Sequence, residues 1–218
     1  MEKKVVLKDM EPKKRAAYIW EYYKWYFICG GLAVIIIAYF IVHYATLKDS
    51  LAGVLMVNAD PAAVTEEDTS LFDSFLEDNG YDTDKQEITV NNGIVVAPDA
   101  TDANSLYTFQ SVQTIMTAHG ADVFLSDEEM FELMASVGEL QDITTILSPD
   151  LIEEYKDSLY YVTDEESGVE YACGIVITGN EWTKETALYP RDCVIGAVNG
   201  TKNSEMAEKV IAYILSGN

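Results

Sequence analysis

Residues 25–47 (WYFICGGLAVIIIAYFIVHYATL) carry no Asp, Glu, Lys or Arg over 23 positions. As a helix rising ~1.5 Å per residue, such a run crosses ~30 Å of hydrocarbon. A core helix keeps one wet face, whereas residues 32–42 are apolar all the way round. Tyr18, Trp20, Tyr22, Tyr23, Trp25 and Tyr26 crowd one end of the run and Tyr39, Phe40 and Tyr44 the other, the placement of aromatic belts at two water interfaces. The pattern predicts one transmembrane helix. The run exceeds the apolar core of a cleaved signal peptide, so it reads as an uncleaved signal-anchor even though Ser50-Leu51-Ala52 loosely matches a cleavage site. Cys29 lies at the start of the run and reads as a small apolar residue of that helix.

Beyond residue 48 the pattern changes to short apolar runs alternating with helical stripes. Residues 52–58 (AGVLMVN) suit a buried strand that Asp60-Pro61 ends. A helix start at Thr65 with Asp68, a stripe of Leu71, Phe72, Phe75 and Leu76, and a stop at Asn79-Gly80 follow. Residues 87–97 read as strand, with Asn92-Gly93 offering a hairpin turn instead. Asp102 is the expected cap of a helix carrying Leu106, Phe109, Val112 and Met116, which Gly120 stops. Residues 121–125 (ADVFL) form the next strand, and Ser126 with Glu129 a capping box for a helix carrying Met130, Phe131, Met134 and Val137. A short helix begins at Ser148-Pro149, two strands at 159–162 and 169–178 flank an acidic turn, and a strand at 193–198 precedes a final helix with Met206, Val210, Ile211 and Ile214 inward. The fold class is α/β: a mixed, partly parallel sheet covered by helices and preceded by one transmembrane helix.

Charge orients the chain. Seven Lys/Arg precede the span, and Lys48 alone directly follows it, which holds the N-terminus in the cytoplasm. The chain therefore divides into a basic, aromatic tail (1–24), the span (25–47), and an extracellular acidic domain (48–218) at the cell membrane. Residues 1–48 hold eight Lys/Arg against four Asp/Glu and residues 49–218 six against 33, a net of −27 within the total of −23. That sign excludes nucleic acid as an outer partner, and fits a soluble, self-repelling surface or weak divalent-cation binding.

Residues 121–125, then 134–140 (MASVGEL), Gln141-Asp142-Ile143 and Leu147, resemble the extracellular solute-binding proteins of bacterial ABC transporters, of the type 2 periplasmic-binding class. There a strand "aDv" leads through a helix to a phrase close to "GxLxDLt". Residues 195–215 (IGAVNGTKNSEMAEKVIAYIL) are similar to that family's "vnsknpExAxkFixyL" closing segment, and residues 171–177 (YACGIVI) to the "YGiPi" strand where its chain crosses between lobes. A second lobe would lie between these two segments, but only residues 179–192 separate them here, so the resemblance implies a single lobe. The phrase Trp20-Glu21-Tyr22-Tyr23-Lys24-Trp25 is similar to that of membrane proteins of Gram-positive bacteria. Together these imply a membrane-anchored binding or interaction module with a protein partner or a second copy of itself, lipid contact through the anchor, and room for a small-molecule ligand. A transporter's substrate-binding subunit, completing its cleft by dimerising or docking, stays open. So, behind both, does an extracellular enzyme acting through carboxylates.

Chemistry is sparse. The two histidines are His43, in the span, and His119, before Gly120, and there is no G-x-S-x-G, C-x-x-C, H-E-x-x-H, phosphate loop or complete EF-hand. No enzyme activity, metal or cofactor is implied, and among 33 outer carboxylates near pairs arise by chance. Gly200, Thr201, Lys202 and Asn203, before the last helix, offer an anion-binding turn or a plain helix-entry loop. Cys173 and Cys193 lie in strand-like runs that the resemblance places near each other, so a disulfide and two buried thiols both stay open.

Overall fold

A computed structural model describes residues 11–63, 69–96, 103–163 and 168–217. Two compact units, Met1–Leu47 and Lys48–Asn218, make up the chain. In the first, helix α1 runs over Pro12–Thr46, with proline at its start, where the missing N–H costs nothing. At 35 residues it is about 52 Å long. It contains one stretch, Trp20–Tyr44, long and apolar enough to cross a membrane and not buried at all. The helix also continues back through residues expected as tail, because no glycine or proline interrupts the chain between Pro12 and Gly30.

The second unit holds strands β1 (Asp49–Val57), β2 (Gln86–Ile94), β3 (Val123–Ser126), β4 (Leu159–Thr163), β5 (Glu170–Ile177) and β6 (Cys193–Ala197). Its helices are α2 (Asp73–Asp78), α3 (Ala103–Thr117), α4 (Glu128–Ser136), α5 (Pro149–Glu154), α6 (Glu181–Thr186) and α7 (Ser204–Ser216). The six strands form one sheet in the order β2-β1-β3-β6-β5-β4. The pairs β2/β1 and β1/β3 are parallel; β3/β6, β6/β5 and β5/β4 are antiparallel. The sheet is thus mixed, and the expected strands at 52–58, 121–125 and 193–198 are its neighbouring β1, β3 and β6.

Both faces of the sheet are covered, which is why β1, β3 and β6 are near-continuous apolar runs. Val54 and Met56 of β1 point into a core built with Phe72, Phe75 and Leu76 around α2 and Val210, Ile211 and Ile214 of α7. Leu55 and Val57 point the other way, into a core with Val112 and Met116 of α3 and Met130, Phe131 and Met134 of α4. Phe72, Phe131 and Ile214 are fully buried and Phe109 is partly so, as the helical stripes predicted.

Local details differ from the sequence pattern in four places. The hairpin option at Asn92-Gly93 is not taken: β2 passes through it, paired with β1 as far as Val57↔Ile94 across a bulge. Asn92 is buried there with both amide atoms unpartnered. The cap of α4 is Asp127, not Ser126, whose backbone is still in β3; the Asp127 carboxylate accepts Met130 N–H at 3.0 Å. The left-handed residue after α3 is His119 (φ 57°), not Gly120. Helix α6 was not anticipated, being a six-residue element without an apolar repeat. The expected caps Thr65 and Asp102 and most of the acidic turn after β4 lie outside the described residues.

Candidate functional site

The connection leaving β1 goes to α2 on one face and that leaving β3 goes to α4 on the other. Where connections of adjacent parallel strands diverge, open α/β sheets leave a crevice beyond the strands' carboxyl ends and take ligands there. This crevice is ringed by Asn58 and Asp127, the first residues past β1 and β3. Asn58 adopts a left-handed conformation (φ 59°), which asparagine tolerates better than most residues. Its Nδ2 donates to Asp127 Oδ2 at 2.8 Å, its Oδ1 accepts Val96 N–H at 2.7 Å, and its own N–H donates to Ile94 O at 2.9 Å. One side chain thus ties together the ends of β1, β2 and β3.

Tyr189, from the connection between α6 and β6, fills the space between them. Its hydroxyl lies 3.0 Å from Val57 O and 3.1 Å from Leu125 O, so a single proton is shared between carbonyls at the ends of two adjacent strands. Burial holds the phenol well above its ordinary pKa, with the nearby Cys193 and Asp127 adding to the effect. The hydroxyl is therefore a donor at any physiological pH. Next to it, Leu188 O accepts Asp60 N–H at 2.7 Å.

At the opposite end of the sheet, Asp122 organises a second polar cluster. It is 4% exposed, and its Oδ2 accepts Gly53 N–H at 2.9 Å. Oδ1 accepts the Thr201 hydroxyl, and Asn203 Nδ2 donates to Oδ2 at 3.2 Å. The turn Gly200–Thr201–Lys202–Asn203 does close on a carboxylate, but one belonging to its own chain. Two of its backbone donors are also engaged, Thr201 N–H with Val198 O and Asn203 N–H with Thr201 Oγ1, each at 3.2 Å. Lys202 is left exposed. These bonds position the turn at the entry to α7.

Other concavities among the described residues include open surface clefts. One of about 590 Å³ is lined by Gln110, Gln113, Thr114, Thr117 and Glu139, and Thr117 already donates to Glu139 Oε1 at 3.3 Å. Another of about 450 Å³ lies against Gln141, Asp142, Val169, Tyr171 and Asn199, where Asn199 Nδ2 donates to Gly138 O at 3.0 Å and Asp142 Oδ1 accepts Thr144 N–H at 2.9 Å. Among the described residues no hydrogen bond joins the exposed His119 to a serine, threonine or cysteine, and no three His, Cys, Asp or Glu side chains cluster as metal ligands would.

The Cys173–Cys193 disulfide does not form; both thiols are free and buried. Register explains why. Cys193 pairs with Ile177, four positions along β5 from Cys173, a separation of about 13 Å, nearly twice the Cα limit for a disulfide of about 7 Å. Cys173 is also the extra residue of a bulge, since Gly174 pairs with Tyr160 and Ala172 with Tyr161. Its thiol enters the core beneath α4, while that of Cys193 enters the core on the α7 face. Burial pushes both thiols up to about 12, so neither is a thiolate nucleophile near neutrality. Unfolded without reductant, the chain should titrate all three of its thiols, with Cys173 and Cys193 unreactive in the folded protein. A loss of two thiols that reductant restores would contradict this register.

The residues that matter most here carried weak sequence signals. Asn58 stood only as the end of a strand, Asp122 as part of the "aDv" phrase, and Tyr189 in no motif at all. Comparison of the chain with protein-family models, with curated proteins and with solved structures finds no match.

Proposed function

We propose that this chain is a membrane-anchored extracellular interaction module: N-terminus in the cytoplasm, α1 as the span, and the outer domain a single lobe related to those of solute-binding proteins. It acts by docking a protein partner of basic character and not by catalysis. The observation that carries this is the crevice between β1 and β3, filled by Tyr189 where a solute would sit. The net −27 of residues 49–218 supplies the charge to attract a basic partner.

Support for the lobe assignment comes from strand order. The segments resembling the crossing strand and the closing strand are β5 and β6, adjacent and antiparallel. A second lobe would be inserted between Ile177 and Cys193, at the same end of the sheet as the crevice. In this chain residues 178–192 supply α6 and Tyr189 in its place. If the domain instead serves a transporter as its substrate-binding subunit, a second copy or the transporter must complete a cleft over that end.

Two measurements on cells making the full chain test the proposal. Protease added outside should remove the domain after residue 48 and spare the tail; loss of the tail alone overturns the topology. Membrane-impermeant crosslinking should trap a partner at low ionic strength and lose it at ~0.5 M salt, where screening is strong. Saturable thermal stabilisation of the purified chain by a sugar, amino acid or peptide would favour the substrate-binding alternative.

A further inference from the structure

We infer that the crevice between β1 and β3 is a latent binding site for a small aromatic hydrogen-bond donor, kept occupied by Tyr189 as a ligand built into the chain. The pairing of β1 with β3 ends at Met56↔Leu125, and there the Tyr189 hydroxyl meets both Leu125 O, in that last pair, and Val57 O, one residue past it. A buried carbonyl just past the end of a ladder, as Val57 O is here, needs a donor from elsewhere. The crevice therefore offers acceptors at its floor, and its walls are the apolar residues with which the Tyr189 ring packs on the α7 face. That combination selects an aromatic body carrying one donor: a phenol.

The segment bearing Tyr189 is tied down at both ends. Asn180 caps α6 by accepting Thr183 N–H at 2.9 Å, and its Nδ2 donates to Ile214 O at 2.5 Å, fixing α6 to the end of α7. Trp182 and Leu188 are buried. Ala187 turns the chain in a left-handed conformation (φ 53°), and Asp60 N–H holds Leu188 O at 2.7 Å. Pro190 follows Tyr189 and restricts it to extended backbone. Tyr189 is thus held in place by its own segment as well as by its hydroxyl.

The test uses the full chain in detergent, with p-cresol, the tyrosine side chain itself, as the probe. In Tyr189→Ala, p-cresol at tenfold its Kd should raise the melting temperature by roughly 3–6 °C. Toluene, which lacks the hydroxyl, should raise it less. Wild type and Tyr189→Phe, whose rings still occupy the site, should not respond. If Tyr189→Ala does not fold alone, p-cresol present during refolding should restore the wild-type circular dichroism. A Tyr189→Ala chain that folds but responds no more than wild type overturns the inference, as does one that p-cresol fails to rescue. An equal response to toluene overturns the assignment of a hydrogen-bonding site. None of these outcomes depends on which partner the outer domain docks.

Discussion

Gly196→Ala should be among the most damaging single substitutions in the unit Lys48–Asn218. Gly196 of β6 and Gly174 of β5 face each other in register, and Phe131 of α4 lies directly on their bare backbone. A Cβ at Gly196 would stand 2.6 Å from Cys173 O and 2.8 Å from Phe131 Cζ; one at Gly174 would stand 2.5 Å from Phe131 Cζ and 2.8 Å from Ile195 O. Phe131 cannot easily retreat, since it stacks on Phe124 at 5.9 Å and meets Tyr160 edge-on at 5.5 Å. Overpacking of this kind costs ~3 kcal/mol or more when the obstruction is backbone, so the melting temperature should fall by roughly 6–12 °C. Phe131→Leu should recover part of the loss in Gly174→Ala, where the tightest contact is the ring. It should recover less in Gly196→Ala, where the tightest contact is a carbonyl of the neighbouring strand. A Gly196→Ala protein melting within about 2 °C of wild type would mean that α4 does not sit on these glycines.

The two glycines also show what the sequence could and could not convey. Strands β1, β3 and β6 were legible because a strand buried on both faces must be apolar throughout, and α4 and α7 because their apolar residues recur at helical spacing. What a glycine in such a run is for depends on an aromatic ring more than forty residues away. The hydrogen bond from Tyr189 to Val57 spans 132 positions, and neither residue carries a local signal of the other. Which of the two open readings of Cys173 and Cys193 the fold adopts, two buried thiols and not a disulfide, was hidden for a related reason. Adjacency of two strands was correctly implied, but register and a one-residue bulge decide which face each thiol enters. The choice between cap residues at 126 and 127 is settled by where β3 stops pairing, again a property of the sheet and not of the local phrase.

Asp122→Ala should lower stability by an amount comparable to the glycine substitution, through lost hydrogen bonds instead of a clash. Its backbone already binds both neighbouring strands, N–H to Gly53 O at 2.7 Å and C=O to Val198 N–H at 3.0 Å. Its carboxylate adds Gly53 N–H, Thr201 Oγ1 and Asn203 Nδ2. Removing the side chain leaves a buried N–H without an acceptor and frees the loop that positions α7. A hydrogen bond to a charged group contributes ~1.5–3 kcal/mol, and an orphaned buried donor costs ~1–3 kcal/mol. The expected loss is about 3–5 kcal/mol, a fall of roughly 6–20 °C in melting temperature. Asp122→Asn keeps one acceptor oxygen but turns an NH2 toward groups that are themselves donors, so it should recover less than half. Thr201→Val should cost ~1–2 kcal/mol alone and little more in the Asp122→Ala background, because the bond it removes is already gone. Urea unfolding of the four proteins would measure this coupling. Strict additivity of the two substitutions would show that Thr201 and Asp122 do not act as a pair, and that the loop before α7 is held by something other than this carboxylate.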